Sequence, residues 1–357
     1  IHCTVTRDVF ARLWPGYLPE ELHIGYVTNG VHYPTWTARE WKVIYGKNFE
    51  ADFLDVHNGK DLWRKIYDVP DKLIWDTKQK LRSKLINGIR ERFKENWIKR
   101  HEDPKQIIAI NDTLSEEALT VCFARRFATY KRAHLLFRNL DRLLKLLTIP
   151  DKPVQFIFAG KAHPNDKAGQ DMIKMIVEIS KRPEYLGKIL FLQNYDMALA
   201  KMLVQGVDVW LNTPTRPMEA SGTSGEKAVL NGTLHFSVLD GWWIEGYKPD
   251  AGWALTNART YEDQQFQDDL DAEIIFSIFE NEIIPDFYNR NKSGIPVEWI
   301  KMIKNSIAKI APGFTTRRMI NDYAERYYSE MNERTQNMSE NDYEKTKSYI
   351  SFLYSCF

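Results

Sequence analysis

Five short and almost unbroken apolar runs, at residues 119–124, 154–159, 189–192, 207–211 and 234–238, mark the middle of the chain. Between them, apolar positions recur at helical spacing over 132–147, 168–181 and 197–204, and a further helix is expected to open near Glu226. Runs of this kind fit strands buried on both faces, and their alternation with helices predicts an α/β fold built on a doubly wound, mostly parallel Rossmann-like sheet. Ligands of such a sheet lie outside the carboxyl ends of its strands, so chemistry is expected in the residues that follow each run.

The flanking regions read differently. Residues 1–115 form a mostly helical lead-in with one β-like stretch, 22–27, that runs into the turn Thr28-Asn29-Gly30. Leu81, Leu85, Ile89 and Phe93 recur every four residues on a long helix over about 74–100. The Rossmann-like region spans 116–330 and closes with helices at 268–279, 297–310 and 315–328. Residues 331–357 are polar and end in a short amphipathic stretch.

Composition narrows the class. With 357 residues, 43% of them hydrophobic, the chain can fill the cores of about two domains. A formal net charge of +1, with no basic face or like-charged tail, argues against nucleic acid or an anionic membrane as the main partner. Cys3, Cys122 and Cys356 are widely spaced and form no zinc-like pattern, which predicts reduced thiols, no metal and a cytoplasmic location. There is no signal-like start and no apolar run of membrane-spanning length. The chain begins without a methionine, so it is expected to be cut from a longer one.

The densest chemistry lies in Glu219-Ala-Ser-Gly-Thr-Ser-Gly-Glu-Lys227. Gly222 and Gly225 permit backbone torsions that expose several N–H groups to one oxyanion, and a helix opening behind them favours negative charge. The spacing is not that of a P-loop, which disfavours a kinase or ATPase. The plainer alternative is a turn capped by Ser221 or Thr223, with Lys227 in solvent.

Two further groups fall at predicted strand ends. Arg125 and Arg126 follow the first run, and Lys131 is expected to open the next helix, where a cation opposes the helix dipole unless an anion meets it. Arginine grips phosphate with parallel hydrogen bonds while lysine adds a mobile charge; the alternative is a solvated basic turn. Gln193-Asn194-Tyr195 follows the third run, with Tyr195 either beside a ligand ring or in a capping turn. Asn29 could bond a sugar hydroxyl or serve its own turn.

In order and interval, Thr28-Asn-Gly-Val, Arg125-Arg-Phe-Ala-Thr-Tyr-Lys131, Ala159-Gly-Lys-Ala162, Gln193-Asn-Tyr195, the 219–232 segment and Leu239-Asp-Gly241 resemble the carboxyl-terminal half of the α-glucan phosphorylases, which act on glycogen, starch or maltodextrin. The resemblance continues more weakly through Arg317-Arg-Met-Ile-Asn-Asp-Tyr-Ala-Glu-Arg-Tyr327. It implies the second domain of a GT-B type glycosyltransferase carrying pyridoxal 5′-phosphate, held by Lys227 as a Schiff base. Phosphorolysis of terminal α-1,4-glucosyl bonds to glucose 1-phosphate, with retention, would follow.

By the same resemblance, Arg126 and Lys131 match the side chains that bind substrate phosphate, and Arg125 with the backbone of Thr223 and Ser224 matches the contacts to the cofactor phosphate. Tyr195 matches a residue beside the cofactor ring, while Asn29, Glu219, Ser221 and Gly222 match contacts to glucose hydroxyls. The implied partners are α-1,4-glucan, inorganic phosphate and an N-terminal domain of the same protein; a homodimer is compatible with the pattern.

The chain departs from the best-studied members in having Ser224-Gly225-Glu226 for Gly-Asn-Met and Ala128-Thr129 for His-Glu, as in a bacterial and archaeal branch. The glycine-rich loop and histidine of the first domain have no counterpart in these residues, so the chain alone is expected to be inactive. Two alternatives stay open, a nucleotide-sugar transferase resembling glycogen synthase and a non-catalytic glucan-binding relative.

Overall fold

A computed structural model describes residues 2–49, 53, 59–100, 104–255 and 261–356. Its centre is one sheet of six parallel strands, β1 (Leu119–Ala124), β2 (Val154–Ala159), β3 (Ile189–Leu192), β4 (Val209–Asn212), β5 (Leu234–Val238) and β6 (Gly252–Leu255). They are ordered β3-β2-β1-β4-β5-β6. β1 and β2 pair along their whole length, from Leu119 opposite Val154 to Ala124 opposite Ala159, and Val121 lies opposite Val209 of β4.

Both faces of the sheet are covered, which is why its strands read as continuous apolar runs. Val121, Phe123, Phe156 and Phe158 face one core, shared with the lead-in aromatics Tyr33, Trp41, Tyr45, Phe53 and Trp63. Cys122, Ala124, Ile157 and Ala159 face the other, against Leu85, Ile89 and Leu203. The long helix Asp71–Arg100 packs there on Met197–Gly206; at Gly206 a Cβ would sit 2.9 Å from the Leu81 carbonyl oxygen, so the glycine permits the close approach.

Four of the five predicted strands have the expected bounds. The fourth starts two residues late, because the Asp208 carboxylate is drawn into a fully buried pair. Its Oδ1 lies 2.7 Å from Arg82 Nη1 and its Oδ2 accepts from the Thr120 N–H at 3.0 Å. Lys78, also fully buried, donates to the Val207 carbonyl at 2.8 Å and to Thr233 Oγ1 at 3.0 Å. Burial lowers its amine to about 8, with Asp208 acting to raise it and Arg82 to lower it. This network pins the long helix to the amino ends of β1 and β4.

Four expectations are corrected. Residues 22–27 form no strand, since Leu22 is buried but Tyr26 is exposed, leaving no apolar face to pair; side chains take the carbonyls instead, Arg7 donating to Ile24 and Arg326 to Tyr26. The helix expected over 132–147 is confined to Leu140–Leu147, capped by Asn139 and preceded by 3₁₀ turns at Thr129–Lys131 and Leu135–Phe137. Arg132, at φ 47°, breaks it. Lys131 therefore ends a 3₁₀ turn and opens no α-helix. The helix expected near Glu226 begins earlier, at Thr223, and runs seven residues to Val229. Beyond β6, the helices Gln264–Ile278, Val297–Lys309 and Thr316–Tyr323 close the fold, and Ser329–Cys356 is helical apart from a break at residues 340–343.

Candidate active site

From β1 the chain winds outward through β2 to β3, then returns beside β1 as β4 and winds the other way. The carboxyl ends of β1 and β4 thus flank the switch point where such sheets bind ligands. Arg125, directly after β1, donates from Nη1 to Oδ1 of Asn212, the last residue of β4, at 3.1 Å. Its Nη2 donates to Glu219 Oε2 at 2.5 Å. Lys131 Nζ reaches the same carboxylate at 3.1 and 3.3 Å.

Glu219 is only 8% exposed, and its position is set from behind by its own N–H, which donates to Asp240 Oδ2 at 2.8 Å. Arg125 and Lys131 are equally buried, so these charges interact in a poorly screened environment. Desolvation pulls the Arg125 guanidinium below its ordinary value, and Glu219 opposes the shift. Arg126, the next residue, is exposed and has no ion-pair or hydrogen-bond partner among the described residues.

The glycine-rich turn follows. Gly222 sits at φ 85° immediately before the helix, the left-handed conformation that favours glycine. The Ser221 carbonyl accepts from the Trp242 N–H, and Ser224 Oγ accepts from Trp210 Nε1 at 3.1 Å, tying the turn to β4. Gly225 packs so close to His235 and Trp242 that a Cβ would lie 2.7 Å from both rings. Thr223 and Ser224 open the helix, where backbone N–H groups have no intrahelical acceptor.

Lys227 is half-buried, and its amine sits 4.0 Å from the centroid of the Trp36 ring. The amine has no hydrogen-bond acceptor or ion-pair partner among the described residues. Desolvation lowers its pKa, and Glu226, when ionised, acts to raise it. Glu226 is buried with neither carboxylate oxygen partnered among the described residues, and desolvation raises it to about 8. Tyr195, after β3, is half-buried; burial pushes its hydroxyl to about 12, and Arg125, at the end of β1 two strands away, acts to lower it.

Asn29 is exposed, and its carbonyl, with that of Thr28, accepts from Arg318 Nη2 at 3.0 and 2.7 Å. A cavity of about 670 Å³ opens beside Thr28, Glu245, Phe314 and Arg318, and no residue of the 219–227 segment lines it. The structure therefore joins Arg125, Lys131 and Glu219 directly, with Tyr195 on the same rim. Ser221, Gly222, Thr223, Ser224 and Lys227 follow along one turn and helix. Arg126 and Asn29 make no described contact with that group. Sequence reasoning missed Asn212, Asp240, Trp36 and Arg132. The first two stood at a strand end and inside Leu239-Asp-Gly241, where they could have been found. Trp36 gave no signal.

The sheet order defines a Rossmann-like α/β domain, with Arg125 and Lys131 paired to Glu219 at its switch point. The family model described as carbohydrate phosphorylase matches residues 4–248. The chain is 44% identical to the glycogen phosphorylase of Aquifex aeolicus over 91% of its own length and 47% of that protein's. It is 39% identical to the glycogen phosphorylase of Mycobacterium tuberculosis, over 92% of this chain and 38% of that one. With the maltodextrin phosphorylase of Thermococcus litoralis it shares 40% identity over the same two shares, 92% and 38%. The chain thus spans less than half the length of these relatives. It belongs to the carbohydrate phosphorylase family, whose architecture is GT-B. No helix among the described residues is long and apolar enough to cross a membrane.

Proposed function

We propose that this chain is the cofactor- and phosphate-binding part of an α-glucan phosphorylase that cleaves terminal α-1,4-glucosyl units with inorganic phosphate to give glucose 1-phosphate. It would act in the cytoplasm, together with an N-terminal domain of the same protein. The observation that carries the reading is the convergence of Arg125 and Lys131 on one buried carboxylate, beside a turn that leads to an amine with no described acceptor.

The residues fit pyridoxal 5′-phosphate. Lys227 has the partly desolvated, pKa-lowered amine that bonding to an aldehyde requires. Trp36 and Tyr195 offer aromatic faces for a ring, and Arg125 with the N–H groups of Thr223 and Ser224 suits the phosphate end. When bound, the group supplies a phosphate whose second pKa lies near 6 and can exchange a proton with the substrate phosphate.

Everything else falls to the chain. Arg126, uncommitted and exposed, and Lys131 hold the substrate phosphate, offsetting the repulsion between two neighbouring anions. Glu219, Ser221, Gly222 and Asn29 orient the glucosyl hydroxyls. Glu219 is now the internal counter-ion of Arg125 and Lys131, so it must release part of that contact as phosphate enters. Retaining three cations suited to phosphate chemistry favours this reading over a mere glucan binder.

The test is to incubate the purified chain with pyridoxal 5′-phosphate and follow the absorbance of the lysine-linked cofactor in the wild type and in Lys227→Ala. Uptake lost in the variant is expected, as is no glucose 1-phosphate release by this chain alone. Equal uptake by both proteins would refute Lys227 as the attachment point. Nucleotide-sugar binding without cofactor uptake would favour the synthase-like alternative.

A further inference from the structure

Next to Lys131 lies a side chain that the proposed chemistry does not use. Arg132 is 3% exposed, and its guanidinium is fully occupied. Nε donates to the Thr213 carbonyl at 2.9 Å and Nη2 to the Pro214 carbonyl at 2.9 Å. Nη1 lies 3.0 Å from Asp268 Oδ1 and 2.7 Å from Asp271 Oδ2, both on the helix Gln264–Ile278. The two carboxylates are held in turn, Asp268 by His134 and Gln264, and Asp271 by Gln267.

This arrangement cannot serve as an anion site, because two carboxylates already face the one guanidinium. What it does is mechanical. Arg132 lies in the left-handed region at φ 47°, an unusual place for a non-glycine residue and one that persists only when its surroundings fix it. That torsion turns the chain immediately after Lys131. The guanidinium also ties the turn after β1 to the loop after β4 that leads to Glu219. Two more bonds close the same seam: Thr213 Oγ1 lies 3.1 Å from the carbonyls of both Lys131 and Arg132, and the Thr215 N–H donates to the Tyr130 carbonyl at 2.6 Å.

We propose that Arg132, anchored by Asp268 and Asp271, is the positioning residue of the phosphate site: it fixes the Lys131 amine against Glu219 without touching either Glu219 or the ligand. The assignment rests on the reading that Lys131 meets the substrate phosphate. A lysine at position 132 would keep the charge but could not span two loop carbonyls and two carboxylates, since only the planar fork presents donors in those directions.

The test uses the whole chain as wild type, Arg132→Lys, Asp271→Asn, Lys131→Ala and the double variant Arg132→Lys/Lys131→Ala. Reductive methylation with formaldehyde, mapped by mass spectrometry, reads how accessible the Lys131 amine is, with fully buried Lys78 as the internal control for global loosening. Calorimetry with inorganic phosphate reads the site. In Arg132→Lys, Lys131 should be methylated faster while Lys78 stays protected. Phosphate affinity should fall by about tenfold, the worth of one charge-assisted hydrogen bond. The double variant should bind no more weakly than Lys131→Ala. Asp271→Asn, which leaves Asp268 in place, should shift both readouts in the same direction and by less.

Unchanged protection of Lys131 in both variants would overturn the proposal, as would methylation of Lys78 alongside it or losses that simply add. If the wild type binds no phosphate yet Arg132→Lys releases Lys131, positioning stands and the phosphorylase reading falls.

Discussion

Replacing Asp208 with asparagine perturbs a buried anion that acts on both Arg82 and Lys78 at the amino ends of β1 and β4. Asp208 and Arg82 are 0% exposed, so water cannot take over the lost interaction. Removing one partner of a buried pair leaves the other charge uncompensated, at a cost of about 3–5 kcal/mol. In Asp208→Asn the Thr120 N–H also loses a charged acceptor, which places the effect toward the upper end. For a chain of 357 residues that corresponds to a fall in melting temperature of roughly 4–7 °C.

The pH dependence adds a second, independent arm. The Lys78 amine titrates at about 8 in the folded chain against an ordinary 10.5. Between those values the unfolded chain binds more protons, so stability should rise with pH, by no more than about 3 kcal/mol. Asp208 acts to hold the amine up, so in Asp208→Asn the rise should begin at lower pH. Urea unfolding across pH 6 to 10.5 measures both effects. A loss under about 1 kcal/mol, or a pH profile unchanged in Asp208→Asn, would refute the reasoning. Arg82→Met/Asp208→Leu should recover much of the lost stability, since apolar packing can replace a buried pair.

Glu219→Gln removes the internal counter-ion of Arg125 and Lys131, so this chain should bind inorganic phosphate more tightly by calorimetry, even though a sugar contact is lost; weaker binding would refute the counter-ion role. Trp36→Ala exposes the Lys227 amine, so its pKa should rise toward the ordinary value and cofactor uptake, followed by absorbance, should need higher pH. An unchanged uptake profile would exclude Trp36 as the desolvating face.

The sheet was readable wherever burial on both faces left an unbroken apolar run, as at residues 119–124 and 154–159. β6 was not, because Gly252-Trp-Ala-Leu255 opens on a glycine and has no β-branched residue, unlike the equally short Ile189-Leu-Phe-Leu192. The helix over 132–147 failed for a tertiary reason: the backbone of Arg132 is dictated by Asp268 and Asp271, far along the chain. The glycine-rich turn and the cations Arg125 and Lys131 were readable as residue types at strand ends. What Glu219 does with those cations was not, since the pairing exists only once β1 and β4 are neighbours. The face against the Lys227 amine depends on where a lead-in tryptophan comes to rest, and no local pattern encodes that.

Glu226 lies buried directly before Lys227. With its carboxyl raised to about 8, it carries a proton at neutral pH, so the residue preceding Lys227 is electrically silent where the formula shows an anion. An anion approaching the turn therefore meets no repulsion from Glu226 itself. In mildly alkaline solution that silence ends, and a fresh negative charge appears behind the lysine. The alkaline limit for anion capture would then be set by an acid that holds nothing itself.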